Sequence, residues 1–190
     1  MAGRGPGLTR RTPPAAPWRL LRRTGRLVVP LAVVLALVLA ASVTGLLPVH
    51  LVRVGAQSMQ PTLAAGDLVL VDRGAGPVGR GEVVAARHPG TGELVVKRVV
   101  GLPGDRVALE DGALVVDGTA VCETSVDAEH LDGVWFGPVT VEEGRLFLLG
   151  DARADSVDSR VFGAVPSGDV VGVVSGRVWP DPGALPSTSC

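Results

Sequence analysis

The sequence predicts a mainly β domain carried behind a single membrane-spanning helix. Three observations predict it. Residues 27–47 hold no charged side chain. Beyond them the pattern changes from one continuous apolar run to short alternating segments punctuated by Gly, Pro and Asp. The composition, with 26 Gly, 15 Pro and 3% aromatics in 190 residues, favours turns and short strands over long packed helices. At 46% hydrophobic residues the chain is also too apolar to stay disordered.

The helix comes first. As a helix, residues 27–47 would extend about 31 Å, close to the hydrocarbon thickness of a bilayer. Pro30 is expected in its first turn, where a missing N–H costs little. Seven arginines and no acid occupy residues 1–26, and Arg22, Arg23 and Arg26 stand next to the apolar run. The positive-inside rule then keeps residues 1–26 in the cytoplasm and sends the rest outside. A cleaved leader is the alternative, since Ala40 and Ser42 form a small-x-small pattern. The run is long for a leader and the stretch before it extended, so the reading favoured is an uncleaved anchor. Thr9-Arg10-Arg11 matches a twin-arginine pattern only weakly and lies far from the run. Net charge is −1, and the chain beyond residue 26 carries eleven bases against nineteen acids. That mildly acidic body argues against a nucleic-acid partner.

The strands follow. Period-2 or continuous apolar segments at 67–72, 81–86, 94–100, 145–149 and 170–174 read as strands. Segments 113–116 and 119–121 flank Asp117-Gly118, a strong hairpin signal. No segment beyond residue 47 has a long helical period. The expected organisation is a basic cytoplasmic segment at 1–26, a transmembrane helix at 27–47, an outer β domain at 48–178 and a flexible tail at 179–190. Trp135-Phe136 is a candidate interfacial anchor, with core packing as the alternative. Cys122 and Cys190 allow at most one bridge, and the reading favoured leaves them unpaired. His50, His88 and His130 are scattered, no Cys/His cluster has metal-ligand spacing, and no metal or other cofactor is expected.

Three places could carry chemistry. Ser58 stands in Gln57-Ser58-Met59-Gln60-Pro61, where Pro61 fixes its own φ and biases Gln60 away from helix. A serine in such a turn can present both its hydroxyl and its own N–H. Alone this is weak, because most turn serines are structural. The second place is more telling: the chain has seventeen arginines and one lysine, Lys97, inside an apolar strand. Arginine cannot lose its proton and lysine can. A lone lysine in an arginine-biased chain therefore points to a position that must be deprotonated, although an ordinary surface lysine is the plainer reading. Burial among Leu94, Val95, Val96, Val99 and Val100 would disfavour the ammonium and free the amine to act as a base. Strand alternation puts Arg98 on the opposite side. The third place, residues 150–160, packs polar groups and alternating charges into one loop, either as a solvated surface or as a scaffold that orients the lysine.

At these residues the sequence resembles the bacterial type I signal peptidases. Ser58-Met59-x-Pro61-Thr62-Leu63 is similar to their nucleophile box. Arg80-Gly81-Glu82-Val83-Val84 is similar to a second box, with Glu for the usual Asp. Lys97-Arg98-x-x-Gly101-x-Pro103-Gly104-Asp105 matches the lysine box throughout, and Gly150-Asp151-x-Arg153-x-x-Ser156-x-Asp158-Ser159-Arg160 the last, except that Ala152 replaces an Asn. The four boxes stand in order over residues 52–178. The resemblance implies a signal-peptidase-like antiparallel catalytic domain, a serine endopeptidase that cuts signal peptides from exported preproteins after small residues at −3 and −1. It implies Ser58 as nucleophile, Lys97 as general base and Ser156 as the residue that orients the lysine. Arg98 with Asp151, and Asp158 with Arg160, would be supporting ion pairs.

The Ser58 N–H would hold the oxyanion. The family's second donor, a hydroxyl two residues earlier, is replaced here by Ala56. One such donor is typically worth about 3–4 kcal/mol. By the same resemblance Val54, Gly55, Ala56, Met59, Leu63, Val95 and Val96 would line the pockets for small side chains. The implied partners are signal peptides, the lipid bilayer and the secretion translocon, with the enzyme in the plasma membrane. Three rivals remain open: a self-cleaving cytosolic repressor with a similar Ser/Lys domain, a degenerate homologue that binds without cutting, and a specialised peptidase for one class of exported protein. The apolar run argues against the first; keeping both Ser58 and Lys97 argues against the second.

Overall fold

The computed structural model describes residues 18–43, 48–126 and 135–186. The chain divides into two compact units, residues 1–46 and 47–190. The first contains helix α1 (Trp18–Val43). Because α1 starts well before the apolar run, Pro30 lies inside it and not in its first turn. That corrects the expected start: the basic residues extend the helix toward the N-terminus, and Pro30 interrupts its interior ladder. The described side chains from 28 to 38 are all exposed, Val28, Val29, Leu31, Val34, Leu35 and Leu37 among them. Among the described residues no helix is long and apolar enough to cross a membrane. Residues 44–47 of the expected span lie outside the described residues.

The second unit is built from two antiparallel sheets. Its strands are β1 (Val49–Arg53), β2 (Leu68–Asp72), β3 (Val83–Arg87), β4 (Leu94–Gly101), β5 (Arg106–Glu110), β6 (Ala113–Val116), β7 (Thr119–Ala120), β8 (Phe136–Thr140), β9 (Arg145–Leu149), β10 (Val165–Pro166) and β11 (Val170–Trp179). A one-turn helix α2 (Ser159–Phe162) separates β9 from β10. The larger sheet runs β1-β2-β11-β3-β4-β9-β10 and the smaller β7-β6-β5-β8. Every strand read from the sequence is present within a few residues, β11 being twice as long as expected. The β6–β7 turn has Asp117 and Gly118 both at positive φ, 52° and 77°, the geometry that an Asp-Gly two-residue hairpin requires.

Three apolar clusters hold these strands, and the alternation of β3 shows how they are divided. Val83 and Ala85 join a cluster with Val54, Met59, Leu63, Val69, Val71 and Val174. Val84 and Ala86 join another with Val99, Leu146, Leu148 and Val165. The strand is thus buried on both faces, which is why it reads as a continuous apolar run. The third cluster ties the two sheets through Val100, Val107, Leu109, Leu114, Val116, Val141, Phe147 and Leu149. Phe136 packs on it, its ring centroid 5.6 Å from that of Phe147, whereas Trp135 is 68% exposed. The pair therefore splits: Phe136 is core packing and Trp135 alone turns its ring outward.

Two expectations about the chain's end and its cysteines are revised. Residues 183–186 of the expected tail lie on the sheet: Gly183 bridges Arg177, Leu185 packs against the first cluster, and Arg98 Nη1 donates to the Pro186 carbonyl at 3.4 Å. Residues 187–190 lie outside the described residues. Cys122 is disulfide-bonded, against the reading that left it unpaired, and its partner lies outside the described residues.

Candidate active site

The turn that carries Ser58 connects β1 to β2, and its neighbours pin it. Met59 and Leu63 are fully buried in the first cluster, and the Leu63 N–H donates to the Met59 carbonyl at 2.8 Å. Between these anchors Ser58 is half-buried. From the other side, the N–H of Ala152 donates to the Ser58 carbonyl at 3.1 Å. This bond fastens the Ser58 turn to the loop after β9.

Lys97 is the fourth residue of β4, paired with Val84 of β3, and only 3% exposed. Its Nζ donates to Ser156 Oγ at 3.0 Å. Desolvation by burial brings the Lys97 amine below the ordinary lysine range; the negative charge of Asp158 opposes this, that of Arg160 adds to it, and Asp151 opposes it again. Burial prevails because a charged amine loses more hydration than the partly neutralised carboxylates return.

The loop at 150–160 is only partly solvated: Asp151, Arg153, Asp158 and Ser159 are buried, while Ala154, Asp155 and Val157 are exposed. Asp158 caps α2, accepting from the Arg160 N–H at 3.2 Å and from Arg160 Nε and Nη2 at 2.8 Å each. It also accepts from the Gly150 N–H at 3.1 Å. Burial alone would raise the Asp158 carboxyl; the hydrogen bonds and charge of Arg160, with help from Gly150 and the Ser156 hydroxyl, reverse this and hold it below the usual carboxylate range. Ser159, next to it, accepts from the Leu148 N–H at 2.9 Å.

Arg98 and Asp151 form the deepest ion pair, with side chains 1% and 0% exposed. The pair is bidentate, Nε to Oδ1 at 2.8 Å and Nη2 to Oδ2 at 2.7 Å. Arg98 Nη1 donates to the Gly81 carbonyl at 2.7 Å, and Thr62 Oγ1 donates to Asp151 Oδ2. Strand β4, the Ser58 turn and the loop after β9 thus meet on one carboxylate. Asp151→Ala is expected to destabilise the domain by about 3–5 kcal/mol, because it strands a buried guanidinium. Urea unfolding of the variant against wild type measures this.

Gly150 shows why the sites converge. A Cβ there would stand 2.2 Å from Ser156 Oγ and 2.4 Å from the Ser58 carbonyl oxygen. The Ser58 turn and the Ser156 side chain therefore both rest on this one backbone position, and Ser156 Oγ in turn accepts from Lys97. The expected pocket residues divide. Val54, Met59 and Leu63 are core, and Val96 packs against them. Gly55 and Ala56 are exposed and Val95 is half-buried. A cavity of about 460 Å³ that the sequence did not indicate lies beside the turn, lined by Gln60, Pro61, Ala64 and residues 151–155. Among the described residues no group of His, Cys, Asp and Glu could hold a metal ion.

Known proteins resemble this chain over the same region. A family model described as signal peptidase, peptidase S26, matches residues 25–179. Signal peptidase I of Bacillus caldolyticus is 40% identical over 139 residues, covering 65% of this chain and 76% of that protein. Signal peptidase IB of Staphylococcus aureus strain COL is 34% identical over 143 residues, covering 65% and 74%. A solved structure, signal peptidase I from Enterococcus faecalis V583, is similar at a TM-score of 0.47 and 32% identity, covering 52% of this chain and 97% of that one.

Proposed function

The chain belongs to the signal peptidase family, peptidase S26, and from the geometry of its site we infer that it removes signal peptides from preproteins with Ser58 as nucleophile and Lys97 as general base. The activity is that of a signal peptidase I, a serine endopeptidase. The observation that carries the residue assignment is the contact of the chain's one lysine, buried in β4, with Ser156.

A neutral lysine has two N–H bonds and one lone pair. Ser156 Oγ accepts one N–H, which fixes the amine's rotation and leaves the lone pair free for the Ser58 hydroxyl. Lys97 takes the Ser58 proton as Oγ attacks the scissile carbonyl carbon. The Ser58 N–H faces the oxyanion that forms. As the tetrahedral intermediate collapses, Lys97 returns the proton to the departing amine, and an ester remains on Ser58. Water, deprotonated by Lys97, then releases the signal peptide and frees Ser58. The pair Arg98–Asp151 ties β4 to the loop after β9, and Asp158–Arg160 holds the end of that loop at α2. The exposed Gly55 and Ala56 of the turn and the half-buried Val95 of β4 would offer the small apolar contacts that alanine-sized side chains need.

In the same reading α1 anchors the enzyme in the plasma membrane, its N-terminus cytoplasmic and the β domain outside, where it meets preproteins at the translocon. The exposed valines and leucines at 28–38 support this, since an unpartnered apolar helix is unstable in water and at home in lipid. Anchoring would raise the effective concentration of substrates held in the same bilayer.

Cleavage of a purified exported precursor by the full chain in detergent tests the reading. Wild type is expected to cut after a small-x-small site. Ser58→Ala should be about a thousandfold slower or worse, as it removes the covalent route. Equal cutting by both would overturn the assignment of Ser58. Binding of the precursor without cleavage by wild type would favour the degenerate homologue.

A further inference from the structure

The catalytic loop has a support from outside its own sheet. Arg153, 1% exposed at its side chain, donates from Nε to the Gly150 carbonyl at 3.0 Å and from Nη2 to Glu123 Oε1 at 2.5 Å. Its own carbonyl accepts from Arg160 Nη2 at 2.7 Å. Arg153 therefore grips the loop at Gly150, the position on which Ser58 and Ser156 both rest. Its remaining nitrogen, Nη1, is buried and has no hydrogen-bond partner among the described residues. Its one ion-pair partner among the described residues is Glu123, itself 7% exposed at the side chain.

Glu123 comes from a different part of the fold. It follows the β6–β7 hairpin of the smaller sheet. Val121, two residues before it, donates its N–H to the Leu114 carbonyl at 2.8 Å and packs on the cluster that joins the sheets. Cys122, one residue before it, is disulfide-bonded. The backbone that presents Glu123 is thus tied to the smaller sheet two residues before it. A carboxylate held that firmly and buried against a guanidinium is a rigid strut, not a surface ion pair.

We infer that Glu123 is a positioning residue for the peptidase reaction: acting through Arg153, it braces the loop that sets Ser156, and hence Lys97, against Ser58. The inference rests on the Ser58/Lys97 reading for its consequence in catalysis. Glu123 touches none of the reacting groups, and neither it nor Arg153 is among the charges that shift the Lys97 amine. Its effect is one of placement.

The test uses the full chain in detergent. Glu123→Gln keeps the shape and removes the charge. It is expected to lower kcat about tenfold while KM stays within about twofold, the pattern of a lost transition-state geometry and not of lost substrate binding. Arg153→Met should lower kcat at least as much, and the double variant should be no slower than Arg153→Met alone, since both act through one contact. Unchanged kcat in Glu123→Gln well below its melting temperature would overturn the inference, as would single effects that multiply in the double variant. A readout without substrate guards against variants that fold poorly. Lys97 is the chain's one lysine, so lysine labelled with ¹⁵N at Nζ gives a single side-chain resonance. Glu123→Gln should shift or broaden it; an unmoved resonance overturns the inference. If wild type cuts no exported precursor, the signal-peptidase reading fails, and the resonance still decides whether Glu123 sets the lysine.

Discussion

Lys97→Arg is expected to abolish precursor cleavage, with a loss of about a thousandfold or more. The substitution keeps the positive charge and much of the length, and the chain tolerates arginine widely, with seventeen already present. What it removes is the capacity to be neutral. A structural lysine at this position would be replaced by arginine at modest cost. A general base would not. Equal cleavage by the two proteins would make Lys97 structural and end the proposed mechanism. Because a buried guanidinium could also disturb the Ser156 contact by size, the pH profile of wild type supplies a second line.

Only the neutral amine can take the Ser58 proton. The log of kcat/KM should therefore rise with pH at unit slope and level off at the folded pKa of Lys97, which burial holds below the ordinary lysine range. The sign for stability follows from the same shift. Between the lowered folded pKa and the unfolded value of 10.5, the unfolded chain binds more protons at this site than the folded one. Stability then rises with pH across that window, and below it the buried amine opposes folding in full. Lys97→Met should remove this pH dependence. Asp158 behaves in the opposite sense: its folded pKa lies below 3.8, so its contribution is complete above that value and is lost as the pH falls through the folded one. Thermal melts across the pH range would resolve the two, the acid limb belonging to Asp158 and the alkaline one to Lys97.

The sequence showed the strands best where period and turn chemistry agreed. Asp117-Gly118 was read as a hairpin and is one. The same signal stands at Asp111-Gly112, also at positive φ, where it joins β5 to β6; β5, Arg106–Glu110, is absent from the expected strands. β8 was hidden for a physical reason: Gly137-Pro138 within it removes a ladder donor and reads as a break, which an edge strand of the smaller sheet tolerates. At the site, the lone lysine was legible from composition alone, because arginine bias made its retention informative. Its partner Ser156 lies 59 residues away and was named through the resemblance. Nothing in the sequence marks Glu123, 30 residues from Arg153 and just past the β6–β7 hairpin of the smaller sheet. Such a pairing depends on how the two sheets pack, which no local pattern encodes.

Gly150→Ala carries the second large effect, and it separates the geometry of the site from the stability of the fold. Gly150 does not need glycine for its backbone angles; it needs it for space. A methyl group would meet Ser156 Oγ at 2.2 Å, Ser156 Cβ at 2.6 Å and the Ser58 carbonyl at 2.4 Å. The Ser58 carbonyl is bound to the Ala152 N–H and can yield only by moving the Ser58 turn. Ser156 can yield only by leaving Lys97. Either movement opens the dyad, and a misplacement of about 1 Å can cost about a hundredfold in rate. The expected result is a kcat lower by about that factor with KM little changed. Gly101→Ala provides the comparison. Its methyl would press on Val107 at 2.6 Å and on Phe147 and Val141 at 3.0 Å, all in the cluster between the sheets. Both substitutions overpack the domain and should cost about 1–3 kcal/mol in stability. Only the one at Gly150 should stop the chemistry below its melting temperature. If both variants lose activity only in proportion to their unfolding, the contacts across Gly150 are packing like any other, and Ser58 and Ser156 are not held to each other through it.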